Sequence, residues 1–446
     1  VAKRFVILGA GESGIGTAIL AQQKGFDVFV SDSKAIVPFY REQLIANGIA
    51  FEEGKHTIEL ILNADEIMKS PGIPEKVEIV KMIRAKGIQI CSEIDFASRY
   101  TDAFLIGITG SNGKSTTTTL IHHLLVKGGL KAALVGNIGK SFALAVAQGG
   151  YDYYVIEVSN FQLDDIHTFR PNIAVLLNIT PDHLDRYNYQ MAGYVHSKFR
   201  ITENQTAEDY FIYCADDPVL KEEMPKRTTK AQMIPFSIET EISNGAYLQN
   251  ETLTFNINQK PNFTMSIYEL SLQGKHNQHN SLAAGIAANI VNVRNEIIRE
   301  SMRDFESLEH RMEPVLTIKG IDFINDSKAT NVNSTWYALE SINKPVIWIA
   351  GGLDKGNDYT VLQSLVKEKV KAIICLGKDN RKIHEAFARY VDMIGNTQSA
   401  HEAVMMAYHL GQSGDAVLMS PACASFDLFE NYEDRGRQFK AAVRSL

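Results

Sequence analysis

The sequence predicts an α/β protein built from three successive units, and three observations carry that prediction. Short apolar runs rich in Val, Ile and Leu alternate with helical stretches along most of the chain. Two glycine-rich turns, at residues 9–14 and 110–115, each lie between such a run and a helical stretch. At 446 residues the chain exceeds one ordinary core and has room for about three domains.

The first unit, placed at residues 1–100, opens with the strand-forming run Phe5-Val6-Ile7-Leu8. A glycine turn, a helical stretch from Thr17 to Lys24 and a second strand from Asp27 to Ser31 follow, which makes a β-α-β unit of Rossmann-like type. Ser70-Pro71-Gly72-Ile73-Pro74 reads as a rigid turn, because proline restricts φ and glycine permits a sharp reversal.

The turn Gly9-Ala10-Gly11-Glu12-Ser13-Gly14 matches GxGxxG, with Asp32 at the distance expected of a ribose-binding carboxylate. Its physics is general: glycines let backbone amides and a helix N-terminus approach a diphosphate, whichever nucleotide carries it. A nicotinamide-dependent oxidoreductase and a UDP-binding domain therefore both stay open here. Glu12 would repel a diphosphate unless its carboxylate points away.

The second unit, residues 101–302, starts with the strand Phe104 to Ile108 and runs through Thr109-Gly110-Ser111-Asn112-Gly113-Lys114-Ser115 into a helix expected from Thr116 to Val126. This is a P-loop, ATPase-like arrangement. Successive amides surround phosphate oxygens, Lys114 neutralises β/γ charge and the Ser115 hydroxyl reaches Mg²⁺. It departs from strict GxxxxGK[ST], since position 108 is Ile and the early glycine is displaced to Gly107. Strands near Tyr153–Val158 and Ile173–Asn178 continue the parallel pattern, and residues 245–272 alternate like appended antiparallel hairpins.

Glu157 falls at the end of one of these strands, and Asp182, His183 and Asp185 follow the next. Open α/β sheets present ligand groups at such ends, and hard oxygens with an imidazole near a phosphate loop suit Mg²⁺. Any one of these side chains alone would more often be an ordinary turn residue; their succession after a phosphate loop points to a site.

The third unit, residues 303–446, shows strand-like runs at 315–318, 321–324, 346–350, 372–376 and 416–420 separated by helices, again a Rossmann-like pattern. No fixed-period repeat is present. Hydrophobic content of 45% with 22% charged residues is that of a globular protein, and a formal charge of −7 argues against a general nucleic-acid or membrane-surface binder. The four cysteines, Cys91, Cys214, Cys375 and Cys423, form no CxxC pair. No leader-like segment precedes the first strand and no run has the length of a membrane span, so a cytoplasmic, monomeric enzyme is the expectation.

Five segments taken in order resemble the motifs of the Mur ligase family: the loop of residues 109–115, Glu157-Val158-Ser159-Asn160-Phe161-Gln162-Leu163, Asn178-Ile179-Thr180-Pro181-Asp182-His183-Leu184-Asp185, Gly274-Lys275-His276-Asn277-Gln278-His279-Asn280 and Glu309-His310-Arg311. Residues 325–331, Asn325-Asp326-Ser327-Lys328-Ala329-Thr330-Asn331, and 420–427, Ser420-Pro421-Ala422-Cys423-Ala424-Ser425-Phe426-Asp427, are most similar to the branch that adds D-glutamate to UDP-N-acetylmuramoyl-L-alanine. The resemblance implies three α/β domains, for UDP-substrate, ATP and amino acid. It also implies an ATP-dependent ligase of peptidoglycan precursor synthesis, and through it a part in cell-wall biogenesis, cell shape and division.

Carried over residue by residue, the resemblance implies ATP contacts from Gly110, Ser111, Asn112, Gly113, Lys114, Ser115, Thr116, Asn277, Asn280, Arg311 and Asp326. Two Mg²⁺ would be held through Ser115, Glu157, His183 and a carbamylated Lys198. The catalytic set is Lys114, Glu157, His183 and Lys198. UDP-substrate contacts would come from Gly11, Glu12, Ser13, Asp32, Ser33, Ser70, Gly72, Asn137, Ser159 and Gln162. D-Glutamate contacts would come from Lys328, Thr330, Lys355, Ser425, Phe426 and Tyr432, with Phe426 and Tyr432 standing where relatives carry leucine and phenylalanine. Without the resemblance, Lys198 reads as a solvated helix lysine. Asp182 or His183 would accept the amine proton by location. A folate polyglutamate ligase shares the ATP chemistry but lacks the leading nucleotide-fold domain.

Overall fold

The computed structural model describes residues 2–258, 262–305 and 309–446. Its strands form three sheets, one in each predicted unit.

The first sheet contains β1 (Arg4–Leu8), β2 (Asp27–Asp32), β3 (Ala50–Glu53), β4 (Glu66–Lys69) and β5 (Gln89–Cys91), all parallel, in the order β3-β2-β1-β4-β5. The central strand β1 is buried on both faces, as its unbroken apolar run requires. The helix after it spans Glu12–Gln23 and so begins five residues before the expected Thr17. The reason is local: Gly14 turns its bare Cα onto the Gly9 carbonyl, where a Cβ could not fit, and the glycine motif is thereby wound into the first helical turn.

The second sheet holds β6 (Phe104–Thr109), β7 (Ala132–Gly136), β8 (Tyr153–Glu157), β9 (Ile173–Leu176), β10 (Tyr210–Cys214), β11 (Gln232–Ser237), β12 (Gly245–Gln249), β13 (Thr252–Asn256) and β14 (Phe263–Ser266). Their order is β14-β13-β12-β11-β10-β9-β6-β8-β7. The expected hairpins are present, since β12 pairs antiparallel with β13 and β13 with β14. They are not a separate layer, because β12 joins β11 in parallel and extends the main sheet. The Phe255 and Phe263 rings stack across this edge at 4.2 Å.

The third sheet comprises β15 (Glu313–Ile318), β16 (Ile321–Asn325), β17 (Val346–Ala350), β18 (Val370–Leu376), β19 (Met393–Thr397) and β20 (Ala416–Met419), in the order β15-β16-β20-β17-β18-β19. Only β15 is antiparallel to its neighbour. Trp348 is fully buried at its centre, worth about 2–3 kcal/mol of apolar burial, and its indole N–H donates to the Ser420 carbonyl at 2.7 Å.

The chain divides into two compact units, one formed by Val1–Leu270 with Asn277–Phe305 and the other by Ser271–His276 with Glu306–Leu446. The first two sheets thus share one unit. Within it the helix Glu12–Gln23 lies against the helix Phe142–Gln148, and Gly16 leaves the space that the Ser141 hydroxyl fills. Among the described residues, no helix is long and apolar enough to cross a membrane.

Candidate active site

The phosphate loop is built on the C-terminal end of β6. Gly113 adopts φ 83°, and a Cβ there would collide with the Asn280 side-chain oxygen, so the residue before the helix Lys114–Lys127 must be glycine. The loop is tied to the chain segment after β9. Asn112 N–H donates to Asn178 Oδ1 at 2.8 Å, Asn178 Nδ2 donates back to the Asn112 carbonyl at 3.0 Å, and Ser111 Oγ donates to the Thr180 carbonyl at 2.8 Å. Tyr194 meets the same Ser111 hydroxyl at 2.9 Å. Asn178, Thr180 and Tyr194 are therefore supports that the motif reading did not single out; only the register of the fold exposes them.

Lys114 Nζ donates to the carbonyls of Gly110 and Ser111 at 2.7 and 2.8 Å. Lys198 donates to the same Gly110 carbonyl at 2.8 Å from the helix Met191–Phe199, and is 1% exposed. The solvated lysine of the bare sequence reading is thus corrected to a buried one. Burial, then the nearby Lys114 ammonium, holds its pKa well below the usual lysine value against the pull of Asp182, Asp164 and Glu157.

Glu157 ends β8 and is buried. Its Oε1 accepts from Asn137 Nδ2 at 2.8 Å, while Oε2 is buried without a hydrogen-bond partner. Ser115 and Thr116 are buried in the first turn of the loop helix, and the Thr116 hydroxyl also lacks a protein partner. A carboxylate oxygen left unpaired inside a protein, together with hydroxyls at a phosphate loop, is the hard-oxygen chemistry that Mg²⁺ takes, so the residues present fit that ion. His183 sits in the left-handed region at φ 52°, its ring 5.1 Å from Phe161 and its Nε2 3.8 Å from Asp182 Oδ1.

Asn277 and Asn280 lie on the helix Lys275–Ile290, and Asn280 Nδ2 donates to Asn277 Oδ1 at 3.1 Å. Thr117 Oγ1 donates to Asn280 Oδ1 at 3.2 Å, which ties this pair to the loop helix.

In the first sheet the Glu12 carboxylate does point away from the glycine turn and accepts the Ser141 N–H at 3.1 Å. Gly11 and Ser13 flank it at the start of the helix. Asp32 accepts from the amides of Ala10 and Lys34 at 2.8 and 2.9 Å, so both its oxygens brace the turn. Ser33 follows β2 in the loop beside it. Ser70 Oγ lies against the Gly9 carbonyl at 3.4 Å, and the Gly72 carbonyl accepts from Arg186 at 3.2 Å. Ser159 and Gln162 form a reciprocal capping box on the four-residue helix Asn160–Leu163.

The compact unit of Ser271–His276 with Glu306–Leu446 carries the remaining predicted residues. Asp326 is buried, accepts from Met312 N–H at 3.2 Å and Ser420 Oγ at 2.8 Å, and burial pushes its pKa up to about 6 despite the Arg311 charge. Arg311 Nε is buried without a hydrogen-bond partner. Lys328 Nζ stands over the Tyr432 ring at 5.4 Å, which brings two predicted residues together. Thr330 follows in the same loop, and Ser425 is buried. Phe426 at 65% exposed and the exposed Lys355 are held by no such packing. Sequence reasoning missed Arg435, a buried guanidinium that donates to Ser327 Oγ at 3.0 Å, the Ser327 carbonyl at 2.8 Å and the Cys423 carbonyl at 3.2 Å.

Comparison with known proteins gives three consecutive family matches: the MurD-like N-terminal domain of Mur ligases over residues 3–92, the Mur ligase middle domain over 108–288, and the Mur ligase glutamate ligase domain over 310–423. Proteins named UDP-N-acetylmuramoylalanine--D-glutamate ligase from Christiangramia forsetii and Bacteroides fragilis are 56% and 54% identical, each over 100% of both chains. Among solved structures, a pseudomurein peptide ligase type C from Methanothermus fervidus matches with a TM-score of 0.63 at 20% identity, over 99% of both chains.

Proposed function

The chain belongs to the Mur ligase family, and from that premise we propose that it joins D-glutamate to UDP-N-acetylmuramoyl-L-alanine at the expense of ATP, in peptidoglycan precursor synthesis. The observation that carries the chemistry is the convergence of two lysine side chains and a phosphate loop beside a buried, half-unpaired Glu157.

The alanyl carboxylate of the UDP-substrate attacks the γ-phosphorus of ATP and gives an acyl phosphate with ADP. The D-glutamate amine then attacks the acyl carbon, phosphate leaves, and the nitrogen loses its proton. Little covalent work falls to the protein, so positioning and charge neutralisation dominate. Amides of residues 110–115 hold the phosphates, and Lys114, freed from its loop carbonyls, neutralises the transferred group. Mg²⁺, when bound at Glu157 and Ser115, supplies further neutralisation. A second ion is assigned to His183 and Lys198, which leaves Asp182 to accept the amine proton.

Lys198 suits carbamylation because burial and Lys114 favour its neutral amine, the form that adds to CO₂ with release of one proton and yields an anionic oxygen ligand. We assign residues 1–100 to the UDP-substrate, 101–302 to ATP and 303–446 to the amino acid. Asn277 and Asn280 face adenine. The enzyme is assigned as a cytoplasmic monomer. A nicotinamide cofactor would leave the phosphate loop at residues 110–115 without a role.

The test is phosphate release with UDP-N-acetylmuramoyl-L-alanine against a panel of D- and L-amino acids. Release dependent on D-glutamate is expected; release with an L-diamino acid, or none at all, overturns the reading.

A further inference from the structure

Two adjacent carboxylates outside the assigned contacts hold the two ends of the nucleotide site. Asp216 follows β10 and its Oδ2 meets His279 Nε2 at 2.8 Å, while the Ser237 hydroxyl and the Ile238 N–H at 2.7 Å anchor the same carboxylate. His279 lies between Asn277 and Asn280 in sequence, on the helix that presents both. Burial opposes its charge, but hydrogen bonds to Asp216 and Cys214 prevail and raise its pKa to about 9, so the pair is ionic at neutral pH.

Asp217 is the next residue. Its Oδ2 accepts the Ile179 N–H at 3.1 Å and its Oδ1 caps the helix Pro218–Glu223 by accepting Leu220 N–H at 2.9 Å. Ile179 stands between Asn178 and Thr180, the two residues that hold Asn112 and Ser111 of the phosphate loop. One dipeptide thus touches the support of the base end through one side chain and the support of the phosphate end through the other.

We propose that Asp216 and Asp217 are positioning residues with divided duties: Asp216, through His279, sets the helix that offers Asn277 and Asn280 to the base, and Asp217, through Ile179, sets the strand end that shapes the phosphate loop. The proposal rests on the reading that this pocket takes ATP. A charge-assisted hydrogen bond is strong enough to bias a helix position by a measurable factor.

Titration calorimetry of the full chain with two probes, Mg-ATP and Mg-tripolyphosphate, separates the duties because the second probe has no base. Asp216→Asn and His279→Gln should each weaken Mg-ATP about tenfold or more and leave tripolyphosphate within a factor of about two. The double variant should be no worse than either single one, as expected of residues acting as a pair. Asp217→Asn should weaken both probes in similar proportion. Equal losses for both probes in Asp216→Asn and His279→Gln, or no loss for Mg-ATP, overturn the division. A wild-type chain that binds neither probe overturns the ATP reading itself, and that result is distinct from any pattern among the variants.

Discussion

Lys114 and Lys198 donate to one carbonyl oxygen, that of Gly110, at 2.7 and 2.8 Å. Burial, and after it the charge of the neighbouring Lys114, drives the pKa of Lys198 down.

That depression makes stability depend on pH in a definite sense. The unfolded chain keeps Lys198 protonated up to its ordinary value, while the folded chain releases the proton earlier, so the cost of burying the amine is present at low pH and vanishes as pH rises. In CO₂-depleted buffer, Lys198→Met should be more stable than wild type by on the order of 1 kcal/mol at neutral pH. Urea denaturation should show the advantage shrinking toward pH 10. The same variant should lose nearly all ligase activity, with partial rescue by short carboxylates; normal turnover would refute a role for this side chain.

Asn137 holds Glu157 Oε1 and leaves Oε2 available. Removing a partner that orients a metal-binding carboxylate costs about 10–100-fold in metal affinity. Asn137→Ala should therefore raise the Mg²⁺ concentration for half-maximal ADP release by that factor, and should cost about 1–3 kcal/mol of stability because both oxygens of the buried carboxylate then lack a partner.

Gly113 tests the loop itself. With φ at 83° and Asn280 Oδ1 in the place of a Cβ, Gly113→Ala should cost about 1–3 kcal/mol of stability and abolish Mg-ATP binding. A calorimetric titration matching wild type would mean that the loop takes another shape.

Asp165 is 2% exposed and pairs with Lys69 at 3.0 Å and Arg84 at 2.6 Å, and Lys69 also donates to the Ile73 carbonyl at 3.3 Å. Glu75 still partners both cations after the loss, at 3.2 Å from Lys69 and 3.3 Å from Arg84. Asp165→Ala should therefore destabilise the unit that holds the first two sheets by about 1–3 kcal/mol, below the full cost of stranding a buried charge. Because Lys69 steadies the turn Ser70-Pro71-Gly72-Ile73, KM for the UDP-substrate should rise more than kcat falls.

Asp326 gives a test confined to the compact unit of Ser271–His276 with Glu306–Leu446. Its pKa rises from 3.8 to about 6, so its penalty is absent below pH 3.8 and complete above about pH 6. Asp326→Asn should show growing relative stability across that window, up to about 3 kcal/mol. A flat difference would mean that the carboxylate is ionised throughout.

Much of this molecule is legible in its sequence, because its central strands are unbroken apolar runs and its glycine turns tolerate few alternatives. The most apolar strands, the phosphate loop and the order of the motif residues follow from local sequence, whereas shorter or less apolar strands such as β3, β7 and β19 carry too weak a pattern to be placed from it. What local sequence lacked was distance: the burial of Lys198, the diversion of Glu12 to Ser141, the bracing of the loop by Asn178 and Thr180, and the anchoring of His279 by Asp216 join residues far apart in the chain. The sequence alone determined which chemical groups the site can use and in which elements they stand. Only the tertiary structure decided which of them are charged, paired or left open, because desolvation and hydrogen bonding depend on neighbours that the fold supplies.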